Sequence, residues 1–445
     1  MKKLLIFLLT LGLPLVVFAE GEANRAEWRF TKSKNFKPSK AYQETGIFPN
    51  IEGIKGSGIS FYHDGKMVKA SLNEKGYPTA KSTEGDYWLI EVPVEKLDKG
   101  TVVDVFLPYT GTAGSRNSFV LEYRDGKKWV EATTTLSTTS HKHPIRLWKS
   151  VRLTRPIKKA GTVALRLRQT DKNEVDFSIA GLSPRGQRPQ VIIYDNRVPQ
   201  DTLRMLFIGN SYTYYHTYPA IFKEIAWHEG HYADCNIFIS GGYTMKAHLA
   251  NPHSMEQVDK GGYDYVMLQD QSILPTLNGT ADDAGSAEQM VKMVSRVRES
   301  SPEAKVLLEI TWGRKFGSNN FGKYEQYIEK YPHFYSSYDA MQQRLIDVMT
   351  AEAEQNSALL NPVGLAWQFV MHERPDINLY HTDNHHQSYA GSYLAAAVAY
   401  LTIYQQPFGN APANGKLSPE IASYLRSVAE RVVLKGEKWS ENKNR

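Results

Sequence analysis

The sequence predicts two architectures in one chain: an antiparallel β-sandwich, then a three-layer α/β fold built on a five-stranded parallel sheet. Three observations carry this reading. From about residue 40 to 183, apolar residues alternate over short runs, and no stretch of helical period interrupts them. From Asp201 onward, compact apolar runs alternate with amphipathic helical patterns. Between the two, residues 184–200 are rich in Pro, Arg, Gln and Asn and read as a connector.

Composition limits the function classes. The chain has 445 residues, 41% hydrophobic and 22% charged, values of an ordinary globular protein. Lys and Arg outnumber Asp and Glu by 53 to 47, and the excess forms no basic tract of the kind that binds nucleic acid. A single cysteine, Cys235, excludes an intramolecular disulfide framework and a thiolate zinc site. It reads as a small buried hydrophobe. Aromatic content is high, with 26 Tyr, 17 Phe and 8 Trp.

Residues 1–19 read as a signal peptide. Lys2 and Lys3 precede an apolar run over 4–18, and Val17 and Ala19 supply small residues for cleavage. The run is short for a membrane span, and Glu20-Gly-Glu22 follows it at once. Loss of Lys2 and Lys3 lowers the formal charge from +6 to +4. No cysteine lies near the cleavage site to carry a lipid, so the expected location is periplasmic or secreted, with no stable membrane span.

In the first part, residues 20–183, Asp-Gly dipeptides mark two hairpins, over 59–68 around Asp64-Gly65 and over 119–130 around Asp125-Gly126. Further strands are expected over 87–92, 101–107, 148–153, 163–167 and 175–179. Short strands at this spacing argue for a sandwich. In the second part, 201–445, strands are expected over 205–208, 236–239, 265–268, 306–310 and 358–360. Helices are expected over 220–229, 287–299, 338–354, 389–404 and 419–434. Five parallel strands covered on both faces make a flavodoxin-like sheet, with active groups at the strands' C-terminal ends.

Chemistry is expected at those ends. The first strand runs into Gly209-Asn210-Ser211, where a serine before a helix faces the sheet edge beside free backbone N–H groups. Far along the chain, His381-Thr-Asp383-Asn-His385-His386 precedes an Ala-rich helix. An Asp three residues ahead of a His can bond its Nδ1–H and orient it as a general base. The alternating His381, Asp383 and His385 also offer N and O ligands to a metal, so a metal-dependent hydrolase is the alternative. His228-Glu-Gly-His231 lacks the spacing of a helical zinc motif. Trp312 and Arg314 follow the fourth strand. Trp312 reads either as a sugar platform or as core, and Arg314 either as a bidentate clamp on a uronate carboxylate or as a surface ion pair.

Gly209-Asn-Ser211 together with Asp383-x-x-His386 resembles the SGNH (GDSL-like) hydrolase superfamily. Leu206-Phe-Ile-Gly-Asn-Ser-Tyr-Thr213, Leu268-Gln-Asp-Gln-Ser272, Thr311-Trp-Gly-Arg314 and Ser388-x-x-Gly391-Ser-Tyr-Leu-Ala-Ala396 are similar to its DUF4886 branch. The resemblance covers about residues 201–410. It implies Ser211 as nucleophile, His386 as base and Asp383 as orienting acid, with no cofactor. It also implies an oxyanion hole from Ser211, a glycine after the second strand and an amide after the third. Gly241 is preferred to Gly242 as that glycine. Two departures stand out. Where the family has an asparagine this chain has Gln269 and Gln271, of which Gln269 is preferred by likeness to acetylesterases whose block reads Gln-Gly-Glu-Ser. Position 387 is Gln where relatives commonly have Pro. The segment Phe119–Trp129, with the strand over 175–179, resembles galactose-binding-like jelly rolls.

Three functions follow as expectations. The first is a serine esterase acting on plant cell-wall polysaccharide, removing methyl esters of pectic galacturonic acid or O-acetyl groups. The net positive charge and Arg314 favour an acidic, pectic substrate. The second is the metal-dependent hydrolase, and the third an inactive glycan-binding protein.

Overall fold

The computed structural model describes residues 24–30, 39–111, 117–132, 136–138, 145–180, 188–194, 202–319, 321–409 and 413–439. The expected signal peptide lies outside the described residues. Among the described residues, no helix is long and apolar enough to cross a membrane.

Two eight-stranded antiparallel sheets form the N-terminal part. One is centred on Val102–Thr110, which pairs with Ile145–Arg152 along one edge and with Gln190–Ile193 and Val175–Ile179 along the other. The other sheet runs Lys128–Glu131, Asn117–Asp125, Gly161–Gln169, Tyr87–Val94, Gly58–His63 and Ile47–Pro49. Val103, Val105 and Leu107 from the first sheet meet Trp88, Ile90, Leu165 and Leu167 from the second in one buried core. The sandwich reading holds, with three differences in detail. The expected connector contains a strand, because Val191-Ile-Ile193 is an apolar run able to close the sheet and is wholly buried. A short helix, Lys40–Thr45, capped by the Ser39 hydroxyl, interrupts the β pattern. The second hairpin turns on Gly126-Lys127 rather than on Asp125-Gly126, since Asp125 pairs with Lys128. Gly126 then stands first in the turn with φ 63°, a position that suits glycine. In the first hairpin, Asp64 and Gly65 both have positive φ, as a type I′ turn requires.

The C-terminal part is a five-stranded sheet, all parallel, in the order Ala233–Ile239, Leu203–Gly209, Tyr265–Leu268, Lys305–Glu309, Leu359–Asn361. Successive side chains point to opposite faces of a strand, so each strand feeds two cores. Met205, Phe207, Met267 and Leu307 pack under the helices Tyr218–His228, Val363–Glu373, Tyr389–Tyr404 and Pro419–Val433. Leu206, Ile208, Leu268 and Leu308 pack under Ser286–Ser300 and Tyr338–Gln355. This is the expected three-layer arrangement. The helix Val363–Glu373 was absent from the sequence expectations. Its mostly apolar residues carry no amphipathic stripe, because it is buried nearly all round.

Candidate active site

In strand order the second strand comes first, then the first, so the chain leaves the sheet in opposite directions on either side of Leu203–Gly209. A crevice opens at such a switch point, beyond the strands' C-terminal ends. Gly209 ends that strand, and a β-carbon there would collide with the Thr213 side chain. Asn210 follows as the N-cap, its carboxamide oxygen accepting from the Tyr212 N–H at 3.1 Å while Nδ2 donates to the Tyr243 carbonyl at 2.9 Å. Ser211 is thereby fixed at the sheet edge.

The partner histidine arrives on residues 380–387. Tyr380 and Gln387 form a bridge, His381 donates to the His386 carbonyl at 2.8 Å, and Asn384 makes the turn at φ 59°, a conformation asparagine tolerates. His386 Nε2 lies 2.7 Å from Ser211 Oγ, and its Nδ1 lies 2.7 Å from Asp383 Oδ2. Asp383 Oδ1 accepts the backbone N–H groups of His385 at 3.1 Å and His386 at 3.0 Å. Burial favours the neutral acid at Asp383, but the His386 ring, its backbone N–H and the nearby imidazoles outweigh it. They hold the carboxyl well below the usual carboxylate range. The sequence-expected Ser211, Asp383 and His386 therefore meet, with the carboxylate ionised behind the imidazole.

Gln387 is tied into the same unit. Its Nε2 donates to the Tyr212 carbonyl at 2.5 Å, linking the histidine loop to the helix that carries Ser211, a link proline could not make. Tyr215 belongs to the site although the sequence reading did not single it out. Its ring stacks on His386 at a centroid distance of 4.1 Å and an angle of 4°, fixing the imidazole plane. No pattern announces it, because the chain breaks from helix directly afterwards, at His216 and Thr217, both at positive φ. His248 was also missed. It is wholly buried, joining the Gly209 carbonyl at 3.0 Å and Ser254 Oγ at 2.9 Å, and burial lowers its pKa to about 4.

A cleft of about 340 Å³ opens over the triad, lined by Ser211, Gly241, Gly242, Gln271, Ser272, Arg314, His385 and His386. Gln269 is absent from this lining. It is wholly buried, its Oε1 accepting the Asn210 N–H at 3.0 Å and the Thr213 hydroxyl at 2.9 Å, and its Nε2 donating to the Asp270 carbonyl. The structure thus places the preferred glutamine in the support of the nucleophile loop. Gln271 is in the cleft, with Oε1 held by the N–H groups of Ile273 at 2.6 Å and Leu274 at 2.8 Å. Among the described residues its NH₂ group meets no acceptor and is the free end. Gly241 lines the cleft as expected, in a turn closed from Tyr243 to Ser240 that needs glycine at 242, where φ is 72°.

Trp312 is no platform. It is fully buried, stacked between Tyr212 at 4.6 Å and Trp367 at 4.1 Å, and its Nε1–H holds the His385 carbonyl at 3.0 Å. Arg314 is not a surface ion pair either, for only 4% of it is exposed.

Asp383, His385 and His386 present ligand-type atoms within 4.8 Å of one another. Asp383 Oδ2 and both His386 nitrogens are engaged within the triad, and His381 Nδ1 stands 3.7 Å from Asp383. The donor set is arranged around a proton path from Ser211 to His386 more than around a common metal position. Cys235 is wholly buried, and burial pushes its thiol up, out of the reactive range.

No protein-family model matches the chain, and no curated protein matches it. Several solved structures are similar to it. A DUF4886 family protein from Bacteroides uniformis shares 18% identity over 54% of this chain and 98% of its own, with a TM-score of 0.44. A Slackia heliotrinireducens protein assigned as an SGNH hydrolase shares 22% over 46% of this chain and 100% of its own, TM-score 0.37. A family two carbohydrate esterase from Clostridium thermocellum, solved in complex with cellohexaose, shares 12% over 76% of this chain and 96% of its own, TM-score 0.32.

Proposed function

We propose that the protein is an exported serine ester hydrolase that removes ester groups from plant cell-wall polysaccharide, either methyl esters of pectic galacturonic acid or O-acetyl groups. One observation carries the reading: the continuous Ser211–His386–Asp383 chain, with both contacts at 2.7 Å, opening on an accessible cleft.

His386 Nε2 takes the Ser211 proton as Oγ attacks the ester carbonyl. Asp383, accepting from Nδ1, holds the tautomer that leaves Nε2 free and stabilises the imidazolium. The tetrahedral oxyanion is met by the N–H groups of Ser211 and Gly241 and by the Gln271 amide. His386 then returns the proton to the leaving alcohol, methanol or a sugar hydroxyl. Water, activated by the same imidazole, releases the acyl group from Ser211.

Methanol and acetate released from methyl-esterified and from acetylated pectins, assayed side by side with wild type and Ser211→Ala, test the proposal. One product should appear with wild type and vanish with the variant. Methanol identifies a methyl esterase and acetate an acetylesterase, whereas activity retained by Ser211→Ala overturns the serine mechanism.

A further inference from the structure

We propose that Arg314 anchors a free carboxylate on the substrate, so that the esters cleaved at Ser211 belong to an acidic, uronate-containing chain. The proposal rests on the ester-hydrolase reading above and adds to it the residue that selects the substrate class.

Arg314 is 4% exposed, and the buried Nε and Nη1 of its guanidinium reach no acceptor among the described residues. Among the described residues no carboxylate stands within ion-pair distance of it. Its backbone N–H points to the Met341 sulfur at 3.2 Å, and the guanidinium carbon stands 5.7 Å from the Phe321 ring centroid. The neighbouring His385 is kept neutral by its burial and by the Arg314 charge itself. No acidic group among the described residues forms an ion pair with Arg314.

A guanidinium does not give up its proton in a protein, so this is a permanent buried charge. Buried charges are retained when they are paired. Here the described residues supply no acidic partner, but the cleft reaches the residue. An anion arriving with the substrate would complete the site, and the planar fork of donors matches the two oxygens of a carboxylate.

Position argues that this anion is not the reacting group. Ser211 follows the first strand, and Gly241 and Gln271 follow the strands on either side of it. Arg314 follows the fourth strand, one further along the sheet. Adjacent strands lie about 4.8 Å apart, which places its strand about 10 Å from that of the nucleophile. The carboxylate therefore sits beside the ester, on the same sugar or the next.

The test uses the full-length protein and has two arms. In the first, wild type cleaves p-nitrophenyl acetate, a neutral ester, in the presence of galacturonate, galactose or inorganic phosphate, and galacturonate binding is also measured by calorimetry. Galacturonate should compete, raising the apparent KM, and galactose should not. Competition by galacturonate no stronger than by galactose or phosphate overturns the proposal. In the second arm, Arg314→Gln and Arg314→Lys are assayed on acetylated oligogalacturonides and on acetylated xylo-oligosaccharides. A charge-assisted pair lost from the substrate complex should lower kcat/KM on the acidic substrate by about ten- to a hundredfold more than on the neutral one, mainly through KM. Equal losses on both overturn it. Should both variants fail to fold, the first arm decides. If wild type cleaves no ester yet binds galacturonate, the hydrolase reading fails and the carboxylate site stands. If it cleaves esters with no preference for the acid, only the carboxylate site fails.

Discussion

Two glutamines two residues apart do opposite work, because consecutive odd positions leaving a strand need not keep the strand's alternation. Gln269 completes the loop of the nucleophile from beneath, and Gln271 offers an amide to the cleft. Gln271→Ala should lower kcat by about 10²–10³ with little change in KM, the signature of a donor that acts in the transition state. Gln269→Ala should instead lower the melting temperature, since the Asn210 N–H and Thr213 hydroxyl lose their buried acceptor. Steady-state kinetics beside thermal melts would separate the two roles, and the reverse pattern would return the oxyanion assignment to Gln269. Glu309 permits a prediction in pH. It is wholly enclosed, and burial raises its pKa from 4.5 to about 7, against hydrogen bonds from Tyr218 at 3.0 Å and Asn361 at 3.1 Å. Between those values the native state keeps a proton that the unfolded chain has released. Its contribution is present in full below about pH 4.5 and is lost as pH rises through 7, a change of order 3 kcal/mol. Glu309→Gln keeps an acceptor and removes the titration. Melts from pH 4.5 to 8.5 should therefore show the variant gaining on wild type as pH rises, whereas a constant offset would refute the assignment.

At the scale of elements, legibility in the sequence followed the strength of local patterning. The five parallel strands are apolar on both faces, so they stand out as runs, and Tyr389–Tyr404 begins at a Ser388 cap visible in the sequence. The triad was legible because Gly209-Asn-Ser211 and Asp383-x-x-His386 are short local motifs that together resemble those of a known hydrolase superfamily. What stayed hidden depends on contacts between segments distant in sequence. Nothing near Trp312 announces that Tyr212 and Trp367, about 100 and 55 residues away in sequence, will stack on its two faces. Nor does a four-residue strand flanked by Pro and polar residues, Gln190–Ile193, distinguish itself from a connector until Val102–Thr110 and Asn24–Glu27 flank it. The three-ring stack has a consequence for activity. Trp312→Ala should cost about 3–5 kcal/mol as a buried large-to-small change. It also releases the His385 carbonyl, so kcat should fall although every triad group remains. Denaturant unfolding and kinetics on the same preparation check both parts, and full activity in a destabilised variant would show that the stack serves stability alone.

Across the whole molecule, the two halves meet along one strand that serves both. In Val102–Thr110, Val103, Val105 and Leu107 enter the sandwich core, and the alternate residues turn to the α/β side. Val102 joins Trp227 and Tyr232, Phe106 joins Ala220, and Asp104 receives Lys223 at 2.6 Å. Both charged side chains are at least 98% buried. Ser150 bridges them at 2.6 Å to each, and the Tyr194 hydroxyl donates to Asp104 at 2.9 Å. Burial disfavours the Lys223 charge, but Asp104 together with the neighbouring Tyr232, Cys235 and Asp234 outweighs it and raises the pKa. Lys223 lies on Tyr218–His228, the helix reached from Ser211 through the Tyr215 turn, so the junction and the catalytic loop share an anchor. A pair so enclosed adds little net stability when whole, yet removing one member strands the other charge, at a cost of about 3–5 kcal/mol. Lys223→Met should therefore destabilise by that amount. Asp104→Leu combined with Lys223→Met should recover part of the loss, because no buried charge remains. Since the halves share apolar clusters as well as this pair, wild type should unfold in one transition, whether followed by far-ultraviolet circular dichroism or by tryptophan fluorescence. Two transitions in wild type, or a double variant no more stable than Lys223→Met alone, would show that the junction is a loose contact between independently folding halves.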